Sequence, residues 1–325
     1  MGTLNVPLEL ADLSEVKQAL RRRQILIQED AFGRKVIVIV NGKGGVGKSS
    51  LAAALAVALA KVGKKVGLIE MDEQGNNCED LGITGTDLDD GGAAQAAAIL
   101  DGKPLVSTGQ ARPNLYVFPG GDALEDVVEE LYVQRRYASY HDDPEDQQAW
   151  MGMYAAAIDP LRDNHDVLIL DVAPGSEVLQ IQALVSGDMT LIPSKSDPSS
   201  RKGLRVVARR FSQARAINAM LRLLGVVLFA TNTSATKVQK NIKEDLEKDL
   251  KGNAPVFGQA IRHVEAAAVA CRKAGKVPQE MRATKDLDPG TVKSIKALAS
   301  DYQSLGMEVL EAWIALDTED GEGEE

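Results

Sequence analysis

Residues 36–63, VIVIVNGKGGVGKSSLAAALAVALAKVG, restrict this chain to few folds. The β-branched run at 36–40 reads as a strand that stops at Asn41-Gly42. A glycine-rich loop comes next, then an alanine- and leucine-rich helix that Gly63 closes in the C′ position. Strand, glycine loop and helix in that order are the setting of a phosphate-binding turn. Gly42, Lys43, Gly44, Gly45, Val46, Gly47, Lys48 and Ser49 satisfy G-x-x-x-x-G-K-[ST] at every fixed position. Glycine permits the φ values and close approach by which backbone N–H groups turn inward on an anion. The helix starting near Lys48 adds its positive dipole end. In this chemistry Lys48 reaches the β- and γ-phosphates, Ser49 ligates Mg²⁺, and Ser50 continues the cradle. A nucleoside triphosphate is the implied ligand.

Later landmarks repeat the strand-to-loop theme. KKVGLIE (64–70) reads as a short buried strand running into Met71-Asp72-Glu73-Gln74-Gly75-Asn76. Loops after parallel strands sit at the carboxyl edge of the sheet, so the Asp72 carboxylate is placed to orient a water or help hold the metal. DVLILD (166–171) is a near-continuous apolar run, the pattern of a strand buried on both faces. It delivers Asp171 beside the glycine loop, where a carboxylate holds Mg²⁺ through water. Strands and helices alternate along the chain, which predicts an α/β fold: a mostly parallel, doubly wound sheet with helices on both faces.

Composition narrows the function classes. Hydrophobic residues make up 44% of the 325 positions and aromatics 4%, so aliphatics and alanine must build the core. The net charge of −10 argues against a broadly basic nucleic-acid coat but leaves room for a local basic face. Two cysteines, Cys78 and Cys271, lie far apart without C-x-x-C, and three histidines are scattered without metal-ligand spacing. Disulfide frameworks and cysteine-held metal clusters are thereby disfavoured, and a reducing cytoplasm is expected. No apolar run approaches the roughly 20 residues of a membrane span.

Three further segments carry expectations. Leu10, Leu13, Val16 and Leu20 predict an amphipathic helix over 8–24, ending in Arg21-Arg22-Arg23. That helix packs on its own domain or a partner, or else touches DNA phosphates. A long helix is expected over 199–223, with Arg201, Arg205 and Arg209 on one face by i, i+4 spacing. It is either a solvated outer face or a stripe for non-specific DNA. Residues 141–148, HDDPEDQQ, read as a solvated loop, and 292–316 as a last amphipathic helix before an acidic, disordered tail. The implied organisation is an N-terminal extension (1–33), one ATPase domain (34–316) and the tail (317–325).

Lys43 is not demanded by phosphate cradling, and the string KGGVGKS with a lysine at each end resembles the deviant Walker A motif of the ParA/MinD family of dimerising ATPases. The resemblance implies that Lys43 reaches across a homodimer interface to the nucleotide of the other subunit. EMDEQGN resembles the family's D-x-D-P-Q-G-N segment, with Glu70 in place of the first aspartate and Glu73 in place of the proline. It makes Asp72 the residue that positions the attacking water, so Lys43, Lys48 and Asp72 form the implied catalytic set and Ser49, Asp72 and Asp171 the metal set. Val172-Ala173-Pro174-Gly175 is similar to D-x-P-P-G, with Gly175 sensing the γ-phosphate. Asn232 is the implied adenine contact. Residues 261–278 are similar to the family's stretch from I-P-R to E-A-x-x-x-G-K-P, although the proline after Ile261 is missing and Val277-Pro278 stand in swapped order. There Arg262, Arg272, Lys273 and Lys276 form a second basic cluster in a region some relatives use for DNA.

The family's function then reads as an ATP- and Mg²⁺-dependent partition ATPase, cytoplasmic and nucleoid-associated. It dimerises on ATP, binds non-specific DNA, and is switched by a ParB-like adaptor. A nucleotide-gated scaffold or filament former with little turnover is the alternative. A MinD-like membrane switch fits poorly with the acidic tail, and no membrane partner is expected.

Overall fold

The β-branched run heading the glycine loop forms β1 (Val36–Ile39), fully buried in the middle of a seven-stranded sheet. The structure is a computed structural model that describes residues 12–28, 33–195, 198–229, 236–250, 254–281 and 287–321. In chain order the elements are α1 (Ser14–Gln28), β1, α2 (Lys48–Lys61), β2 (Val66–Met71), α3 (Asn76–Leu81), α4 (Ala93–Leu100), β3 (Gly109–Arg112) and β4 (Leu115–Phe118). They continue with α5 (Leu124–Ala138), α6 (Pro144–Ala149), α7 (Met153–Ile158), β5 (Val167–Val172), α8 (Glu177–Ser186), β6 (Met189–Ser194) and α9 (Pro198–Arg215). β7 (Arg222–Leu228), α10 (Thr236–Leu250), α11 (Glu265–Lys273) and α12 (Pro289–Gly321) complete the chain.

The strand order is β3-β4-β2-β5-β1-β6-β7, and every pairing is parallel except β3 with β4. Side chains alternate between two cores, as a sheet covered on both faces requires. Val36, Val38 and Val40 point to the side of α1, α5, α7, α8 and α9, while Ile37 and Ile39 point to the side of α2, α11 and α12. The doubly wound architecture expected from the alternation is the one observed.

Several boundaries differ from the sequence reading, each for a tertiary or local reason. α1 starts at Ser14, where Asp12 accepts from the Ser14 backbone N–H at 2.9 Å, and runs on to Gln28; residues 8–11 lie outside the described ones. Its basic end is not uniformly solvated. Arg21 pairs with Glu145, and Arg23 is buried. Residues 141–148 are not simply a loop, because Asp143 caps the Glu145 N–H and Pro144 occupies the first turn of α6. Lys17 of α1 pairs with Asp146 there. The long helix ends at Arg215, short of 223, and β7 already begins at Arg222. The buried Asn218 amide breaks the helix by donating to Val185 O and Gly187 O. α12 continues to Gly321, beyond the expected tail start at 317. Arg34 reaches Leu316 O at 3.3 Å and Asp317 Oδ1 at 3.1 Å, holding that end in place.

The amino edge of the sheet is locked by charge. Asp188 is fully buried at the start of β6 and accepts from Lys35 N, Val36 N and Arg162 Nη1, each at 2.8 Å. Arg162 Nη2 and Arg23 Nη2 reach its other oxygen at 2.7 and 3.4 Å. Burial alone would raise the Asp188 pKa, but Arg162 and then Arg23 overcome it and hold the carboxyl below the usual aspartate value. One residue of α1, one before β5 and one at β6 are thereby tied to β1.

Candidate functional site

Parallel strands deliver their C-terminal ends to one edge, and the loops that leave those ends build the site. The register places Ile39 beside Asp171 and Asp171 beside Glu70, with Ile39 also next to Leu191 of β6. The loop 41–47, Asp72, Asp171 and Lys195 therefore emerge from four adjacent strands.

The loop is held open by its own chemistry. Asn41 is fully buried; its Nδ2 donates to Pro193 O at 2.8 Å and its Oδ1 accepts from Lys43 N at 2.9 Å. Gly45 and Gly47 adopt φ of 67° and 87°, the left-handed region open to glycine. Gly47 is the N-cap of α2 and offers no side-chain cap, so the first N–H groups of the helix are left for an anion. A Cβ at Gly47 would enter the Phe229 ring.

Behind the loop lies a buried charged triad. Lys48 is 6% exposed; burial lowers its pKa, and Asp171 and then Asp72 pull the other way. Asp171 is 1% exposed, and burial pushes its carboxyl up to about 6 against the Ser49 hydroxyl and the Lys48 ammonium. Asn77 donates to Asp171 Oδ2 at 2.8 Å, while Oδ1 is buried without a hydrogen-bond partner. The Asp72 backbone carbonyl accepts from Gly121 N at 3.0 Å, and its Oδ1 accepts from Gln74 N at 3.0 Å. Glu70, where the family pattern has aspartate, is driven well above the carboxylate range by burial and then by Asp171. Its Oε1 accepts from Asn77 N at 2.9 Å.

The donor set fits Mg²⁺. A serine hydroxyl, an aspartate oxygen that lacks a partner and a second nearby carboxylate are hard oxygen ligands, too few for an all-protein cage. Among the described residues no group of three or more His, Cys, Asp or Glu could hold a metal by itself. That is the pattern of a metal shared with substrate phosphates.

The turn after β5 is fixed from behind. Gln180, fully buried on α8, donates its Nε2 to Ala173 O and Pro174 O, each at 2.9 Å. Arg210 of α9 donates to Gln180 Oε1. Pro174 lies against Gly44, whereas nothing stands within 4 Å of the Cβ position at Gly175. Sequence reasoning missed Gln180, Asn77 and Asn41, since side-chain amides that tie one loop or strand end to another carry no motif.

The remaining predicted residues divide. Arg205 and Arg209 are exposed on α9; Arg201 is in the first turns of that helix, but its side chain lies outside the described residues. In the second cluster Arg262 is bound by Asp301 through two bonds of 2.6 and 2.7 Å. Arg272 pairs with Asp80 at 2.9 Å and Glu79 at 3.7 Å, and Lys273 and Lys276 are exposed. Asp80, Ser50, Arg272 and Lys276 line a cavity of about 300 Å³ beside the start of α2. Asn232 lies outside the described residues. Among the described residues no helix is long and apolar enough to cross a membrane.

Comparison with known proteins adds to this geometry. A family model described as AAA domain matches residues 34–223. The chromosome-partitioning ATPase Soj of Thermus thermophilus is 28% identical over 194 residues, 59% of this chain and 68% of that protein. Among solved structures, apo McdA of Cyanothece superposes with a TM-score of 0.67 at 20% identity, covering 86% of this chain and 99% of that one. Cobyrinic acid a,c-diamide synthase of Mycobacterium smegmatis, with bound ADP and magnesium, has a TM-score of 0.58 at 22% identity, covering 75% and 93%.

Proposed function

The chain belongs to this AAA domain family and is of the ParA/MinD type, and from that premise we propose that it works as a partition ATPase of the Soj/ParA kind. Mg-ATP seats in the glycine cradle, two copies close on it, and the dimer binds non-specific DNA on the nucleoid. A ParB-like adaptor stimulates hydrolysis and ends the bound state. The observation that carries this reading is the convergence of the Gly42–Ser49 loop, Asp72 and Asp171 at one sheet edge around Lys48.

Each residue's part comes from where it sits. Lys48, already flanked by two carboxylates, neutralises charge that develops on the β–γ bridge and the γ-phosphate. Backbone N–H groups of the loop and of the first turn of α2 hold the phosphates in line. Asp72 accepts from and orients the attacking water. Ser49 and Asp171 would hold Mg²⁺, which supplies charge neutralisation to the polyphosphate when bound. Lys43, beside the first turns of α9, extends to the nucleotide of the partner copy, and Asn232 contacts the base. For DNA, the exposed Arg205 and Arg209 with Arg201 are better suited than Arg262 and Arg272, whose guanidinium groups are taken by Asp301 and by Asp80 and Glu79.

The test is binding to random duplex DNA with ATP and with ADP over a salt series. ATP-dependent binding that weakens steeply with salt supports partition. Dimerisation without DNA binding overturns it in favour of a scaffold. A Lys43→Ala protein that still dimerises on ATP and hydrolyses normally removes the cross-subunit role.

A further inference from the structure

β6 ends beside β1, and the next residue in the chain, Lys195, turns toward the phosphate loop. Its Nζ stands 3.9 Å from the position a Cβ would take on Gly45. Its backbone is anchored on both sides of the strand end. Asn41 holds Pro193 O at 2.8 Å, and Phe229 N donates to Ser194 O at 2.8 Å. The same asparagine that shapes the loop therefore also sets the position of Lys195. The side chain is half-buried, and among the described residues no carboxylate pairs with it and no acceptor takes its protons. A half-buried ammonium that has no counter-charge among the described residues, at the rim of a cradle built for an anion, is an arrangement that an anion completes.

We infer that Lys195 is a third ammonium of the phosphate site, joining Lys48 and Lys43 and contacting the terminal phosphates of the nucleotide from the β6 side of the loop. The inference deepens the nucleotide reading and rests on it. Lys48 lies behind the loop among carboxylates, and the turn holding Pro174 covers the Gly44 side. Lys195 covers the Gly45 side, so the cradle is flanked by a neutral turn on one wall and a cation on the other. A point charge there favours the more highly charged ligand, so it separates ATP from ADP. The residue makes no covalent step; its part is to hold charge and to bias the site toward the triphosphate.

The measurement is equilibrium binding of fluorescent ATP and ADP analogues with Mg²⁺ to full-length wild-type, Lys195→Gln, Lys195→Met and Lys195→Arg proteins. Binding is read without reference to turnover. Removing the charge is expected to weaken ATP about tenfold, and ADP by less than about threefold, while Arg keeps both within about threefold of wild type. Thermal unfolding without nucleotide should be unchanged, since the ammonium bonds nothing described in the fold. Equal weakening of ATP and ADP, or ATP binding within about twofold of wild type in both neutral variants, overturns the assignment. A wild-type protein that binds neither nucleotide overturns the underlying nucleotide reading, and the role of Lys195 with it. Normal wild-type binding with insensitive variants overturns Lys195 alone.

Discussion

Gly47 has φ of 87° and its missing side chain faces the Phe229 ring, while Gly63 at the other end of α2 has φ of 88° with nothing within 4 Å. The pair separates backbone strain from collision. Gly63→Ala should cost about 1–2 kcal/mol for the left-handed conformation and leave nucleotide binding intact. Gly47→Ala carries the same strain plus the clash, and it should abolish nucleotide binding as the loop is pushed from its path. Thermal unfolding and nucleotide binding of the two variants check this, and the double variant Gly47→Ala with Phe229→Ala should recover part of the loss. Nucleotide binding by Gly47→Ala at wild-type strength would show that the ring moves aside freely. The glycine pattern made this position legible, but its partner Phe229 lies 182 residues further on and was not.

At the scale of elements, α9 packs its Gly203 turn against the glycine loop and reaches the turn after β5 through a side-chain relay. Arg210 donates to Gln180, and Gln180 holds the two carbonyls of the turn after β5. A shift of that turn is expected to be felt by the helix that carries Arg205 and Arg209. Arg210→Met leaves Gln180 Oε1 buried without a donor, a cost of about 1–3 kcal/mol. It should also shrink the ratio of DNA affinities with ATP and ADP while ATP binding itself holds. Unchanged nucleotide dependence of DNA binding would rule the relay out. The strands β1 and β5, the cradle and the Gly63 stop after α2 could be read from local pattern, because β-branched runs and glycine act where they stand. The end of α9, the edge strand β3 and the small helix α6 could not. Asn218 stops its helix by bonding two distant carbonyls, β3 has little hydrophobic alternation, and α6 was hidden in a run of charges despite its Asp143-Pro144 start.

For the whole molecule, the candidate phosphate loop sits at one edge of the sheet and the buried Asp188 cluster at the other. Asp188 has a folded pKa below its ordinary value, so the unfolded chain binds more protons between the two values. Its stabilisation is complete above the ordinary aspartate range and is lost as pH falls through the folded value. Wild-type unfolding temperature should therefore drop on acidification below about pH 4. In Asp188→Asn the corresponding loss should be smaller, on a protein already weakened by up to about 3–5 kcal/mol because the buried Arg162 and Arg23 lose the Asp188 charge while still paired with Asp159. Equal acid sensitivity of the two proteins would place the titration elsewhere. None of this was visible in the sequence, where Asp188, Arg162 and Arg23 are far apart and share no motif.

The tie between Arg34 and the end of α12 brings the start of β1 and residues 316–317 into contact across 282 positions of chain. A fluorescent reporter or purification handle spliced on in place of residue 317 and those beyond it would therefore disturb the strand that leads into the glycine cradle. The same cargo appended after residue 325 would leave that strand alone, so localisation studies with the two fusions should not be expected to agree.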